Sequence, residues 1–354
     1  MVATSDAVWD EQGTTPDAIE AALRQLLIER HAENDKFMPA RALNMIAFVD
    51  RQWSGEIANR LRGVGRYHAS RLIVFAYEPR RDRLDARVTI ASEGDPDVAE
   101  LALLRETVVV DVGDRHLDDL ITIADPLVVT DLTTLLWSPH GHYEIVAELL
   151  QLAQAVLVDS VDDAIPREAL DRACELSEQA YVVDLAWLRS TPWRERVAGA
   201  FHPPRLRSEL PTITEVSVRH HPASTVAAML LIGWLASRLG WKTAPLVAHG
   251  VALAGKARAG RQDVALRLQA APELQVRGLE GVSIETASGR CLRLDRGRGG
   301  LRARSRDRAG QTREWTVPGA SRGEGGILGE GIRQALLRDP TYIPALTAAR
   351  TLLP

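Results

Sequence analysis

The stretch Leu72-Ile73-Val74-Phe75-Ala76-Tyr77 is a short apolar run rich in β-branched and aromatic residues, which predicts a buried strand. Four similar runs predict further strands at 43–49, 86–90, 107–112 and 155–158, and two shorter runs indicate strand at 127–129 and 132–137. Helices are predicted between these strands at 54–61 and 143–152, and the amphipathic helix Pro166–Gln179 follows the last of them. Strands and helices alternate through this part of the chain, which predicts a mixed α/β domain.

The pattern changes in the second half of the chain. From Val264 to Val317, short alternating runs are separated by glycine-containing turns, which predicts an antiparallel meander with one solvated face. Prolines around residue 205 indicate a linker. We therefore expect a flexible tail at 1–14, an N-terminal α/β domain at 15–205 and a C-terminal α+β domain with an arginine-rich antiparallel meander at 206–354.

Composition narrows the class of protein. The chain has 354 residues, of which 45% are hydrophobic and 25% are charged, and its net charge is −4. These values are typical of a globular protein with two or three domains and do not favour nucleic-acid binding by the whole molecule. The charge is uneven, because residues 256–313 hold 14 basic and six acidic residues.

The cysteines and the apolar runs of the sequence indicate the cellular compartment of the protein. The two cysteines, Cys174 and Cys291, are far apart and form neither a disulfide framework nor a zinc motif. The segment Met1–Gly13 is acidic and polar, unlike a secretory signal. The longest uncharged apolar run, Pro222–Ser237, falls short of a membrane span. We expect a cytoplasmic protein that does not bind membranes and that contains a buried helix at this run.

Motifs for catalysis are weak. The segment Gly250–Ala257 resembles a phosphate loop, but Ala257 stands where a serine or threonine would bind Mg²⁺, and we interpret it as a chance match. The pairs His140/His142 and His220/His221 have no carboxylate or cysteine at ligand spacing, which favours structural histidines. We predict no catalytic, cofactor-binding or metal site, and no cofactor.

A polar cluster precedes the strand at Leu72. It comprises Arg66, Tyr67, His68, Ser70 and Arg71. In an extended chain Arg66, His68 and Ser70 share one face, so several hydrogen-bond donors converge at the entrance to the strand. The cluster therefore suits a carboxylate or phosphate ligand. The alternative is that an arginine of the cluster pairs with a local acid such as Asp85, and the sequence leaves both open.

A second cluster is rich in tryptophan and arginine, the residue types that anchor protein interfaces. Its members are Asp184, Trp187, Thr191, Pro192, Trp193 and Arg194. The pair Thr191-Pro192 predicts a helix start. A partner-binding surface and a buried domain junction explain the tryptophans equally well.

The run Arg290–Arg308 contains eight arginines in 19 residues. They alternate with apolar residues such as Leu292 and Leu294, and no aromatic residue is interleaved for stacking on bases. The run therefore predicts the solvated face of an antiparallel sheet. A face that docks an acidic protein or an anionic ligand is the next interpretation, and nucleic-acid binding is the third.

Taken in order, several motifs of the chain resemble the OpcA family, the glucose-6-phosphate dehydrogenase assembly proteins of actinobacteria and cyanobacteria. The motifs are Arg41-x-Leu43-Asn44, Arg62-x-Val64-Gly65-Arg66-Tyr67-His68-x-Ser70-Arg71, Leu84-Asp85-Ala86-Arg87-Val88, Asp131-Leu132 through Leu136-Trp137, Val158-Asp159-Ser160, Asp184-Leu185-Ala186-Trp187, Thr191-Pro192-Trp193-Arg194 and Gly233-Trp234 through Gly240-Trp241. The resemblance covers about residues 40–241.

This resemblance implies a non-catalytic partner of glucose-6-phosphate dehydrogenase that promotes assembly of the enzyme or holds it in its active conformation. It also implies that Arg66, Tyr67, His68 and Arg71, with Trp187 and Trp193, form or support the contact surface. The competing interpretation is a regulator or enzyme that binds a sugar phosphate or nucleotide through the cluster at 66–71.

Overall fold

The computed structural model of the protein describes residues 6–33, 37–39, 41–65, 70–93, 102–318 and 323–354. The chain forms two compact units. Unit 1 contains Met1–Val158, Gln179–Val183 and Leu328–Leu337, and unit 2 contains Asp159–Glu178, Asp184–Ile327 and Arg338–Pro354. This division differs from a single boundary at residue 205, because hydrogen bonds described below tie the segments at 159–178 and 184–205 to the rest of unit 2.

Unit 1 is an α/β unit built on one large sheet. Its elements are β1 (Ala7–Gln12), α1 (Pro16–Glu33), β2 (Phe37–Pro39), β3 (Leu43–Asp50), α2 (Ser54–Gly65), β4 (Ser70–Tyr77), β5 (Asp85–Glu93), β6 (Ala102–Val112), α3 (Leu120–Ala124), β7 (Thr134–Trp137), α4 (Tyr143–Leu149), β8 (Ala155–Val158) and β9 (Tyr181–Asp184), whose last residue belongs to unit 2.

The strands of unit 1 lie in the order β1-β5-β6-β4-β3-β7-β8-β9, and β2 pairs with β6. The neighbours β6, β4, β3, β7 and β8 are mutually parallel. In chain order these are the third, second, first, fourth and fifth parallel strands, which is the doubly wound arrangement of dinucleotide-binding domains. Parallel strands are buried on both faces, which explains why the stretch at 72–77 is continuously apolar rather than alternating.

Two segments of unit 1 differ from the sequence analysis. Residues 7–12, assigned to a flexible tail, form the edge strand β1, which pairs antiparallel with β5. An edge strand exposed along much of its length needs no apolar run, so its sequence carried little signal. Residues 127–129, also expected in a strand, do not form one, because Leu127 ends a short 3-10 turn at Asp125–Leu127. The buried Asn44 side chain binds both backbone groups of Val129, at 2.9 Å and 3.0 Å, and replaces a strand partner.

Unit 2 combines helices with a second nine-stranded sheet. Its elements are α5 (Pro166–Gln179), α6 (Leu185–Arg189), α7 (Thr191–Ala200), α8 (Pro204–Arg207), β10 (Ile213–His220), α9 (Thr225–Leu239), β11 (Lys242–Thr243), β12 (Val247–His249), β13 (Ala252–Ala259), β14 (Gln262–Ala270), β15 (Leu279–Thr286), β16 (Cys291–Gly297), β17 (Gly300–Arg306), β18 (Thr312–Pro318), α10 (Gly323–Leu337), whose residues 328–337 belong to unit 1, and α11 (Tyr342–Arg350).

The strands of unit 2 lie in the order β11-β13-β14-β10-β15-β16-β17-β18, and β12 pairs with β13. Every described pairing is antiparallel except that of β10 with β14. The strands β15 to β18 form the predicted arginine-rich antiparallel meander. Together, the two mixed sheets and their helices confirm the predicted α/β class with an α+β second half.

The apolar helix α9 lies in the core of unit 2. With the short turn before it, Pro222–Leu239 is long and apolar enough to cross a membrane. However, ten residues of α9 are buried, and the helix packs against β10, β14 and α11. These contacts account for its apolar composition. The prediction of a buried helix at this run is confirmed.

The helices α9 and α11 pack closely at Gly233. A Cβ atom at this position would lie 2.2 Å from the carbonyl oxygen of Ala345 and 2.8 Å from the backbone nitrogen of Ala349. Because backbone atoms cannot move aside as a side chain can, we expect Gly233→Ala to lower the free energy of unfolding by about 1–3 kcal/mol. This loss would override the gain of up to about 1 kcal/mol that alanine brings to a helix.

The control for this prediction is Gly199→Ala in α7, where an added Cβ meets no atom within 4 Å. That variant is expected to be neutral or slightly more stable. Urea unfolding followed by circular dichroism measures both variants. A Gly233→Ala protein as stable as the control would contradict the close packing of the two helices.

Candidate partner interface

The polar cluster before β4 is described only in part. Arg66, Tyr67 and His68 lie outside the described residues, and Ser70 begins β4. The role predicted for these four residues stays a prediction. Arg71 is the member of the cluster whose contacts the structure shows.

Arg71 is held in the interior of unit 1. Its Nε donates to Oε2 of Glu106 at 2.6 Å, and its Nη1 donates to the carbonyl of Leu127 at 2.9 Å. The other oxygen of Glu106 accepts from Nε of Arg41 at 2.5 Å. Burial lowers the pKa of Arg71. This guanidinium is therefore an internal cross-link, which favours the ion-pair interpretation over a ligand site, with Glu106 as the acid rather than Asp85.

Asp184 is the centre of a buried network in unit 2. Its carboxylate accepts from the backbone nitrogen and hydroxyl of Ser160, at 3.2 Å and 2.6 Å, and from the backbone nitrogen of Ala186 at 2.9 Å. The last bond caps the N-terminus of α6. The hydroxyl of Tyr342, in α11, donates to the same carboxylate at 3.1 Å. Burial raises the pKa of Asp184 to about 6.

The tryptophan cluster is also internal to unit 2. Trp187 and Trp193 are 2% and 3% exposed, and Arg194 is 8% exposed. The indole nitrogen of Trp187 donates to Asp339 at 2.9 Å, and the guanidinium of Arg194 stacks 3.4 Å above the ring of Trp187. Burial lowers the pKa of Arg194 to about 10. These side chains are placed to support a surface rather than to form one.

Three other predicted residues, Thr191, Pro192 and Trp137, lie within secondary-structure elements. Thr191 and Pro192 begin α7 as predicted, and the hydroxyl of Thr191 accepts from Arg194 at 2.9 Å. In unit 1, Trp137 ends β7, is 4% exposed and lies opposite Ala47 and Leu157 in neighbouring strands. None of these three residues offers a largely exposed side chain to a partner.

The carboxyl ends of the parallel strands of unit 1 are where a doubly wound sheet binds its ligand. The turn after β3 is Asp50-Arg51-Gln52-Trp53-Ser54-Gly55, with one glycine where the dinucleotide fingerprint has three. Asp50, Arg51 and Glu78 line the shallow crevice of about 490 Å³ at this edge. The turn is bulky and lacks the glycines that let backbone N–H groups approach a pyrophosphate, so the residues present do not fit a dinucleotide.

The histidines near this crevice are structural. Nε2 of His142 lies 2.8 Å from a carboxylate oxygen of Asp50, and Nδ1 of His140 accepts from the backbone nitrogen of Asp50 at 3.2 Å. The sequence analysis missed Asp50 because it is about 90 residues away in the chain. Across the described ranges, no group of three or more histidine, cysteine or acidic residues is arranged to hold a metal ion.

The segment resembling a phosphate loop is a hairpin. Gly250 lies in the turn between β12 and β13, and Lys256 is an exposed residue within β13. A phosphate loop leads from a strand into a helix, whereas this segment leads into an antiparallel strand. The interpretation as a chance match is confirmed.

The sheet of unit 2 has one polar, solvent-facing side, which we call the arginine face. Its residues on six adjacent strands, β14, β10, β15, β16, β17 and β18, follow from the strand register. The basic members are Arg219, Arg267, Arg293, Arg302, Arg304 and Arg306, and the acidic members are Glu215, Asp263, Glu285, Asp295 and Glu314. The other side of the sheet carries buried residues such as Leu266, Val282 and Leu294. The prediction that the arginine run forms the solvated face of an antiparallel sheet is therefore confirmed.

Comparison with protein families connects these units to known proteins. Residues 62–175 match the N-terminal domain, and residues 180–346 the C-terminal domain, of the family described as the glucose-6-phosphate dehydrogenase subunit OpcA. The two matches together cover most of the chain. The chain belongs to the OpcA family of glucose-6-phosphate dehydrogenase assembly proteins. The resemblance found in the motifs is confirmed.

Curated OpcA relatives match over a shorter stretch. Two proteins provisionally named OxPP cycle protein OpcA are 33% identical over 119 residues, in a Synechocystis strain, and 32% identical over 120 residues, in Nostoc punctiforme. Each match covers about a third of this chain, 32% and 33%, and about a quarter of the relative, 25% and 26%. The chain therefore shares only part of the length of these OpcA proteins.

Two solved structures of enzymes align with most of the chain at low sequence identity. A scyllo-inositol dehydrogenase from Lactobacillus casei aligns over 89% of this chain and 96% of its own, with TM-score 0.46 and 12% identity. An oxidoreductase from Bacillus cereus aligns over 87% and 93%, with TM-score 0.44 and 13% identity. At these scores neither similarity bears on the function of this OpcA chain.

Sequence reasoning found the OpcA motifs but missed their partners. Arg71 is bound by Glu106, Asp184 by Tyr342, and Trp187 by Asp339. Each partner lies 35 to 158 residues away in the chain. One sequence feature could have pointed to such a partner. Glu106 lies next to the apolar run Val108–Val110, and a charged residue buried with such a run must be paired with an opposite charge.

Proposed function

We propose that this chain is a non-catalytic assembly factor that binds glucose-6-phosphate dehydrogenase and favours its active oligomeric state. The observation that carries the proposal is the pair of family matches, since both domains are described as those of a subunit of that enzyme. The bulky turn after β3 supports a non-catalytic role, because it lacks the glycine pattern of a dinucleotide site. In this proposal the chain acts in the cytoplasm, where it activates the entry enzyme of the oxidative pentose phosphate pathway and so promotes NADPH production.

The physical basis of such activation is linkage. A protein that binds the active state more tightly than the inactive state shifts the population toward the active state by that difference in affinity. A coupling free energy of about 1–3 kcal/mol changes an affinity by about 5–150-fold. If the substrate also favours the active state, substrate and assembly factor tighten each other's binding by the same factor.

The test uses the dehydrogenase of the same organism, with and without this chain, over a range of substrate concentrations. We expect a lower apparent substrate constant and co-migration of the two proteins in size-exclusion chromatography with light scattering. Saturating glucose 6-phosphate is expected to tighten the complex about 5–150-fold. Absence of both co-migration and activation would contradict the proposal.

A thermal-shift panel of sugar phosphates and nucleotides serves as a control in the same preparation, because a ligand of the chain itself would stabilise it by mass action. We expect no shift at concentrations that saturate typical enzymes. Stabilisation by one of these ligands would instead favour a small-molecule regulator.

A further inference from the structure

We propose that the arginine face of unit 2 docks on an acidic surface of glucose-6-phosphate dehydrogenase. This inference rests on the function proposed above and adds to it the surface and its charge. The proposal rests on the exposure of this face, its unpaired arginines and the kind of anion that fits them.

The arginine face is accessible over its central and outer strands. Arg267, Arg293, Arg302 and Arg306 all have exposed side chains. The helix α9 covers the opposite side of the sheet, where it contacts β10 and β14. The sheet therefore buries one side within unit 2 and presents the other side to solvent.

The positive charge of this face is only partly neutralised. Arg219 is paired with Asp295 and Glu280, and Arg304 is paired with Glu314 at 2.6 Å. For Arg267, Arg293, Arg302 and Arg306, no ion pair forms within the part of the chain that the structure describes. Four guanidinium groups, each with five donors, thus remain for an outside acceptor.

The arginine face places some like charges side by side. Arg293 lies directly opposite Arg304 on the neighbouring strand, whereas Arg302 lies opposite Asp295. Arg302, Arg304 and Arg306 follow one another along the same side of β17. Like charges in directly opposite positions repel and destabilise a sheet. Carboxylates of a partner would remove this repulsion and gain bidentate hydrogen bonds to the guanidinium groups.

The pattern of charge favours an acidic protein over a polyphosphate chain. Glu215, Glu285 and Asp295 lie on the same face as the arginines, and they would repel a continuous line of phosphates. The described positions of the face contain no aromatic side chain on which a base could stack.

The experiment compares two triple charge reversals in the full chain. The test variant is Arg293→Glu, Arg302→Glu and Arg306→Glu. The control variant is Arg196→Glu, Arg205→Glu and Arg238→Glu, which changes the net charge by the same amount at exposed arginines of unit 2 outside the face. Near-ultraviolet circular dichroism and thermal unfolding of both variants verify that each one is folded.

Binding to the dehydrogenase is measured by isothermal titration at low and moderate salt. We expect the test variant to bind at least about tenfold more weakly and to lose most of the salt dependence, while the control variant binds like the wild type. Equal weakening of both variants, or no weakening of a folded test variant, would overturn the docking surface while the wild-type complex still upheld the proposed function.

Other outcomes distinguish the two proposals further. A wild-type chain that does not bind the dehydrogenase at all would contradict the proposed function and the docking surface with it. Salt-dependent binding of duplex DNA that the test variant abolishes, or a dimer in light scattering that the test variant dissociates, would assign the arginine face to a different occupant and overturn the inference.

Discussion

Glu106→Leu is expected to lower the free energy of unfolding of unit 1 by about 3–5 kcal/mol. The Glu106 side chain is 1% exposed and accepts one hydrogen bond from each of two arginines. Leucine has a similar volume but leaves the guanidinium groups of Arg71 and Arg41 without a counter-ion in the interior. Removing one partner of a buried ion pair costs much more than the pair itself contributes.

The matched control is Glu78→Leu at the surface of the same unit. Glu78 is 45% exposed and pairs with Arg81 at 2.7 Å, so its loss is expected to cost less than about 1 kcal/mol. Hydrogen exchange of β4 and β6 reports the stability of unit 1 separately from that of unit 2. Equal effects of the two substitutions would show that Glu106 is not the buried counter-ion of Arg71.

Asp184→Ala is expected to lower the free energy of unfolding of unit 2 by about 3 kcal/mol or more. The substitution removes the acceptor of the Ser160 and Ala186 backbone N–H groups and of the Tyr342 hydroxyl. Each buried donor left without an acceptor costs about 1–3 kcal/mol, and the lost cap of α6 adds about 1 kcal/mol. Urea unfolding at pH 7 measures the change.

The matched variant Asp184→Asn keeps an acceptor and removes the ionisation. The pKa of Asp184 is raised from 3.8 to about 6 by burial, so the folded state binds its proton more tightly than the unfolded state. This contribution to stability is present below about pH 4 and is lost as the pH rises through about 6. We expect the wild type to lose up to about 3 kcal/mol over this interval relative to Asp184→Asn. Parallel pH profiles of the two proteins would contradict the raised pKa.

The sequence predicted the parts of the fold that depend on local pattern. Continuously apolar runs such as 72–77 gave the parallel strands, and alternating runs with glycine turns gave the meander of unit 2. What it did not predict depends on distant contacts. The edge strand β1 is largely exposed and is held by hydrogen bonds to β5, so its residues can be polar. At Val129, the side chain of Asn44 makes the backbone hydrogen bonds that a neighbouring strand would otherwise make.

The candidate site shows the same division. The motifs that identify the family were found from sequence, but their burial was not. Trp187 and Arg194 are residue types that favour interfaces and domain cores equally, and only the position of Asp339 decides between them. The arginine face was predicted because alternation along a strand needs no long-range information. Which arginines remain unpaired depends on the register of six strands, which local sequence does not encode.

The chain passes between the two units several times, and this limits where the protein can be truncated without breaking up a unit. A fragment that begins at residue 206 lacks Asp184, whose carboxylate binds Tyr342, and lacks α5, where Asp171 pairs with Arg350. A fragment that stops at residue 205 lacks residues 328–337, which complete unit 1. No single cut in the chain yields two whole units. Truncated fragments are therefore poor tools for assigning an activity to one unit. Substitutions within the whole chain are the better test.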